Sequence, residues 1–209
     1  MSASDSTRGF QGLIRGAVSV SLSLIAIACQ SVNSPSPPRH PAAVPNSHAP
    51  GEVDDPELVP FIVPDTESLP GLVLDDADAV LVGDWQYSTH TPPYVGYGYL
   101  HDQKSGKGEK SVTYQPYFHR AGTYELRISH CFNIRRSTNT LVQVRSAKAL
   151  DEFRINQQEI PEHNRLFRTI GYFDFNQGRD QWIKISNSGT DGKYVIADAI
   201  QLIEIQPSP

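Results

Sequence analysis

From Gly71 to Gln206, apolar and polar residues alternate over short runs, and turn residues interrupt each run before a helix could form. Gly122-Thr-Tyr-Glu-Leu-Arg-Ile-Ser-His130 shows it most plainly, with Tyr124, Leu126 and Ile128 on one face. Val112/Tyr114, Val142/Val144, Phe153/Ile155, Phe173/Phe175 and Ile183/Ile185 repeat the period of two. That period places alternate side chains on opposite faces of a strand, so each pair marks a strand with one buried face. Ser105-Gly106-Lys107-Gly108, Ala121-Gly122, Asn176-Gln177-Gly178 and Ser188-Gly189-Thr190-Asp191-Gly192 separate the runs. Many short strands at such spacing specify an all-β domain over residues 71–206, an antiparallel two-sheet β-sandwich of jelly-roll type. The stretch suffices for one core, and it holds no internal repeat.

The chain ahead of it reads differently. Residues 1–28 have the form of an export signal: Arg8 and Arg15 precede an apolar run from Ala17 to Ala28. That run is shorter than the ~20 residues a membrane span needs. Ala26-Ile27-Ala28-Cys29 resembles the lipobox of bacterial lipoproteins, which implies lipidation of Cys29 and a membrane anchor; the alternative is an ordinary secretory signal. Either reading places the protein outside the cytoplasm, in the cell envelope if lipidated and secreted if not.

Residues 29–70 read as a disordered tether. Pro35, Pro37, Pro38, Pro41, Pro45, Pro50, Pro56, Pro60, Pro64 and Pro70 resist helix and sheet alike. Glu52, Asp54, Asp55, Glu57, Asp65 and Glu67 carry most of the net charge of −5, leaving the domain near neutral. Leu58–Val63 is an apolar patch able to pack on the domain as an edge segment. The chain has two cysteines. With Cys29 lipidated, Cys131 has no partner and becomes a small buried hydrophobe.

Charge and motif exclude several functions. Arg135-Arg136 and Arg165/Arg168 are too few and too scattered to track nucleic-acid phosphates. No glycine-rich loop opens a helix, so no nucleotide site is expected. His90, His101, His119, His130 and His163 show no metal-ligand spacing and are expected at the surface or at edges.

Two constellations remain. Asp76 and Asp78 open the domain and Asp198 lies in its last strand; first and last strands of a jelly roll are commonly neighbours. These acids could share a structural calcium, the one cofactor considered, or serve as turn carboxylates bonded to backbone amides. The second is polar and aromatic. Tyr94-Val-Gly-Tyr-Gly-Tyr-Leu-His-Asp102 sets tyrosines on a glycine-loosened backbone, and Trp85 precedes it. Such rings stack on the apolar face of a sugar, or fill a core corner. Asn133-Ile-Arg-Arg-Ser-Thr-Asn139 offers forked donors suited to carboxylates or vicinal hydroxyls, or ties down its own loop. The candidate ligand-binding residues are therefore Trp85, Tyr94, Tyr97, Arg135, Arg136 and Asn139, with Tyr99 expected in the core.

Tyr97-Gly-Tyr-Leu-His-Asp102, Gly106-Lys-Gly-Glu-Lys110, Ala121-Gly-Thr-Tyr-Glu-Leu-Arg127, Arg136-Ser-Thr-Asn139, Ile155-Asn-Gln157 and Ser186 to Ala199 run in the order found in one family. By these stretches the domain resembles the golvesin/xanthan-lyase carbohydrate-binding-like domain, over most of residues 72–205. The resemblance implies a β-sandwich, an extracytoplasmic setting, and a non-catalytic module recognising a polysaccharide or other envelope polymer. A structural or protein-interaction module is the alternative. A third reading is a polysaccharide lyase or hydrolase using Tyr97, Tyr99, His101 and an arginine.

Overall fold

A computed structural model describes residues 63–106 and 108–206; the signal, Cys29 and most of the tether lie outside the described residues. The alternating runs become twelve strands. In chain order they are β1 Leu72–Leu74, β2 Val80–Val82, β3 Gln86–Ser88, β4 Tyr99–His101, β5 Ser111–Tyr114 and β6 Gly122–Ser129. Then come β7 Thr140–Arg145, β8 Leu150–Ile155, β9 Phe167–Phe175, β10 Trp182–Ser186, β11 Ile196–Ala197 and β12 Ile200–Glu204. One sheet orders them β1-β12-β6-β9 and the second β2-β5-β10-β7-β8. First and last strands do pair, with Leu72 opposite Leu202. The jelly-roll-type sandwich is as expected, with one addition: β11-β4-β3 form a small third sheet.

The in-phase apolar residues make the core. Tyr124, Leu126, Ile128, Ile200 and Leu202 of the first sheet meet Val112, Tyr114, Val142, Val144, Ile183 and Ile185 of the second. Register keeps them together: Ile183 faces Tyr114 on one side and Val144 on the other. Each such side chain contributes about 1.5–3 kcal/mol on leaving water, which is what a chain without a described disulfide depends on. Cys131 is free and buried, as anticipated. His130 departs from expectation. It is fully buried with neither ring nitrogen bonded, so burial holds its pKa down at about 3 and the ring stays neutral.

Residues at the end of the expected tether are bonded to the domain. The Pro64 carbonyl accepts from Gly96 N–H at 3.0 Å, and Gln201 Nε2 donates to the Pro70 carbonyl at 2.9 Å. Thr66–Ser68 forms a short 3-10 turn between them. No helix among the described residues is long and apolar enough to cross a membrane.

Candidate functional site

The small sheet builds one wall of a pocket. On β4, Leu100 turns into the main core, so the period of two sends Tyr99 and His101 the other way. On β3, Tyr87 packs against the core, and Gln86 and Ser88 face the pocket. Gln86 and His101 are directly opposite across the strand pair. The second wall is the loop between β6 and β7. Tyr194 N–H donates to the Arg135 carbonyl at 3.1 Å, and Ser137 N–H to the Tyr194 carbonyl at 2.8 Å. These bonds fasten Arg135 and Arg136 beside Tyr194. The pocket between them has a volume of about 670 Å³ and is lined by Gln86, Ser88, His90, Thr91, Tyr99, His101, Asn133, Ile134, Arg135, Arg136 and Tyr194.

Arg136 is the fixed point of this pocket. It is only 6% exposed. Its Nε donates to the Cys131 carbonyl and its Nη2 to Tyr99 Oη and Cys131 Sγ, each at 3.3 Å. The guanidinium also lies 5.6 Å and 5.7 Å from the Tyr99 and Tyr194 ring centres. Tyr99 takes a further hydroxyl bond from Ser88 at 3.2 Å. His101 stands edge-on to Tyr194 with ring centres 5.1 Å apart. Burial, and then the Arg136 charge, lower the His101 pKa, so the imidazole is neutral at neutral pH. Burial pushes the Cys131 thiol up to about 11.

The six expected ligand-binding residues do not form one site. Arg135, exposed, and Arg136 line the pocket. Tyr94 and Tyr97 line a second hollow of about 340 Å³ with Val63, Pro64, Asp65 and Gly96. Tyr94 lies 6.1 Å from the ring of Tyr99, which lines the first pocket. Trp85 lines neither: it packs against the core, its indole N–H bonded to the Val82 carbonyl at 3.1 Å. Asn139 also stands apart, its Nδ2 donating to the Gly189 carbonyl at 2.9 Å to pin a turn. Tyr99 is buried at 2%, the core role expected of it, yet one edge lines the pocket. Sequence reasoning missed Gln86, Ser88, His90 and Tyr194. The in-phase polar pair on β3 was the available signal; Tyr194 reaches the pocket only through loop pairing.

The acidic constellation gathers with one change of member. Asp78 turns back to accept from Asp75 N–H at 3.2 Å, while Asp75 Oδ1 accepts from Asp76 N–H at 2.9 Å. Asp78 is thus spent capping the turn Asp76–Asp78. Asp198 is fully buried and accepts from Val95 N–H at 3.2 Å and from Ser129 Oγ. Asp76 Oδ2 is buried without a partner. Burial raises Asp75 to about 7 and Asp76 to about 8, and raises Asp198 well above the carboxylate range, where the charges of Asp75 and Asp76 add to it. Among the described residues no three His, Cys, Asp or Glu side chains converge as a metal cage, so the calcium set Asp76, Asp78 and Asp198 does not fit as drawn. The arrangement suits retained protons.

Residues 72–204 match the Golvesin C-terminal domain family. The chain belongs to that family. The chain is 32% identical over 147 residues to xanthan lyase of Bacillus sp. (strain GL1), covering 68% of this chain and 16% of that protein. The structure of Paenibacillus xanthan lyase superposes with a TM-score of 0.60 at 31% identity, covering 64% of this chain and 13% of that one. A Podospora anserina GH26-CBM35 β-(1,4)-mannanase matches with a TM-score of 0.50 at 24% identity, over 66% of this chain and 28% of that one. That last likeness speaks to the fold alone. The chain spans only a small fraction of either xanthan lyase it matches.

Proposed function

We propose that the Golvesin C-terminal domain of this chain is a non-catalytic, extracytoplasmic binding module that holds a polysaccharide or other envelope polymer. The observation that carries this reading is the pocket where Tyr99, Tyr194 and His101 rings stand beside the forked donors of Arg135 and Arg136. A volume of about 670 Å³ admits a short saccharide segment. Rings offer the apolar face of a sugar a surface, and guanidinium forks orient its edge. Paired-acid glycoside hydrolysis finds no carboxylates among the pocket's lining residues. Surface tethering through Cys29 belongs to the same reading, and Cys29→Ser should release the protein from the detergent-soluble membrane fraction.

One observation favours a structural module instead: Arg136 and Tyr99 bond to each other and to Cys131, bracing the loop. Co-sedimentation of the full chain with insoluble envelope polysaccharide separates the readings. Retention of wild type and loss with Arg135→Gln supports binding, and no retention of wild type supports the structural module. Release of unsaturated sugar ends would instead reveal a lyase.

A further inference from the structure

We infer that the pocket's ligand is an acidic saccharide, with a uronic-acid carboxylate seated between Arg135 and Arg136. This rests on the binding-module reading above and narrows its ligand class.

The first ground is charge. The lining carries two arginines and no aspartate or glutamate, and the neutral His101 adds no charge of its own. Lys104 adds to the positive charge, its Nζ 4.4 Å from the Tyr194 ring centre. The nearest acid in sequence, Asp102, is turned away: it accepts from Val195 N–H at 2.9 Å and Lys104 N–H at 3.0 Å, and from Asn187 Nδ2 at 3.3 Å.

The second ground is the way this fold treats its other sheltered arginines. Arg127 pairs with Glu125 at 2.7 Å, and Arg168 with Glu159 at 2.6 Å. Arg136 is more buried than either, yet its hydrogen-bond partners are a carbonyl, a thiol and a phenol, and it forms no ion pair among the described residues. Buried charges are ordinarily paired, because a neutral neighbourhood does not repay their lost hydration. Tyrosine faces offset part of that cost, and an incoming anion would offset the rest. With Nε and Nη2 of Arg136 bonded inside the domain, its persistent charge supplies the attraction, and the fork of exposed Arg135 beside it supplies the bidentate grip on a carboxylate.

The test uses the full chain and calorimetry. Oligosaccharides bearing galacturonate, glucuronate, mannuronate or guluronate are each compared with their carboxyl-reduced counterparts, alongside a sulfated oligosaccharide. At least one uronate should bind, its reduced form should bind about tenfold more weakly, and added salt should weaken only the acid form. Arg135→Gln should lower uronate affinity several-fold at an unchanged melting temperature. Equal affinity for acid and reduced forms, or preference for neutral ones, overturns the acidic ligand and leaves the binding module standing. Preference for the sulfated sugar overturns the carboxylate assignment. Failure of every saccharide to bind takes down the module reading as well.

Discussion

Arg136 and Asp198 are both almost wholly buried, and neither has an oppositely charged partner among the described residues. Chemistry lets the fold treat them differently. A carboxyl can keep its proton, and burial, with the charges of Asp75 and Asp76, pushes the Asp198 pKa well up. A guanidinium cannot shed its proton, so the charge on Arg136 persists whatever surrounds it. Asp198 is thus held within the domain by Val95 N–H and Ser129 Oγ. The cationic pocket is open to solvent and keeps its charge, which is what the proposed acidic ligand would meet.

The largest effect should come from the acidic region. Asp198→Ala strands the buried Val95 N–H and Ser129 hydroxyl, and is expected to cost about 3 kcal/mol in chemical denaturation. Asp198→Asn retains an acceptor without a charge and should stay within about 1 kcal/mol. If Asn costs as much as Ala, the side chain is ionised and the comparison fails.

Next comes pH. Asp75 and Asp76 have folded pKa values of about 7 and 8, above the ordinary carboxylate value near 3.8. The folded state thus binds protons more tightly than the unfolded one. That stabilisation is fully present below about pH 4 and is lost as pH rises through 7 to 8. The melting temperature should fall by several degrees or more between pH 5 and pH 8, and Asp76→Asn should flatten the fall. Calcium should do nothing at pH 5, where the cluster holds its protons. A rise with calcium at pH 8 would show that the orphaned Asp76 Oδ2 takes a cation once the proton leaves.

The open region should respond less in stability. Arg136→Lys keeps the charge but loses the fork that reaches Cys131 and Tyr99 together, and is expected to cost about 1–2 kcal/mol. It should also quicken thiol labelling of Cys131, which the buried guanidinium helps cover. Slow labelling and an unmoved melting temperature would mean that Arg136 braces nothing.

The two regions were not equally legible in the sequence. The sandwich was, because β6, β7 and β10 alternate cleanly and register carries their apolar faces into one core. The β1–β12 pairing followed from topology and brought Asp76 and Asp198 into one neighbourhood. Asp75 and Asp78 cap the same turn reciprocally, yet only Asp75 and Asp76 act on Asp198, a distinction invisible in a run of similar acids. The aromatic site split for a related reason. Trp85 and Asn139 belong to the right stretches, but rotation about a strand or loop decides whether a side chain meets a pocket, the core or a turn. Tyr194 enters through a parallel bridge to Arg136, a long-range pairing with no local signature.

The smallest expected effect on stability is at Tyr97, and it bears most directly on the proposed ligand. This ring is 60% exposed at the mouth of the second hollow, so Tyr97→Ala should change stability by less than about 0.5 kcal/mol. Tyr94 leans on Tyr99 and the buried Cys131–Ile196 cluster, and its truncation should cost more. Tyr94, which lines the second hollow, and Tyr99, which lines the first, stand 6.1 Å apart, so the proposed polymer held at Arg135 and Arg136 would reach Tyr97 by passing these rings. A stacked ring there is worth ~0.5–1.5 kcal/mol, a several-fold loss of affinity on truncation. That loss should be the same at low and high salt, since stacking carries no net charge, whereas the loss from Arg135→Gln should shrink as salt screens it. Titrating both variants with one polymer at two ionic strengths reads the difference. Identical salt dependence in the two would mean that ring and arginine serve a single contact, and an unaffected Tyr97→Ala would confine the ligand to the cationic pocket.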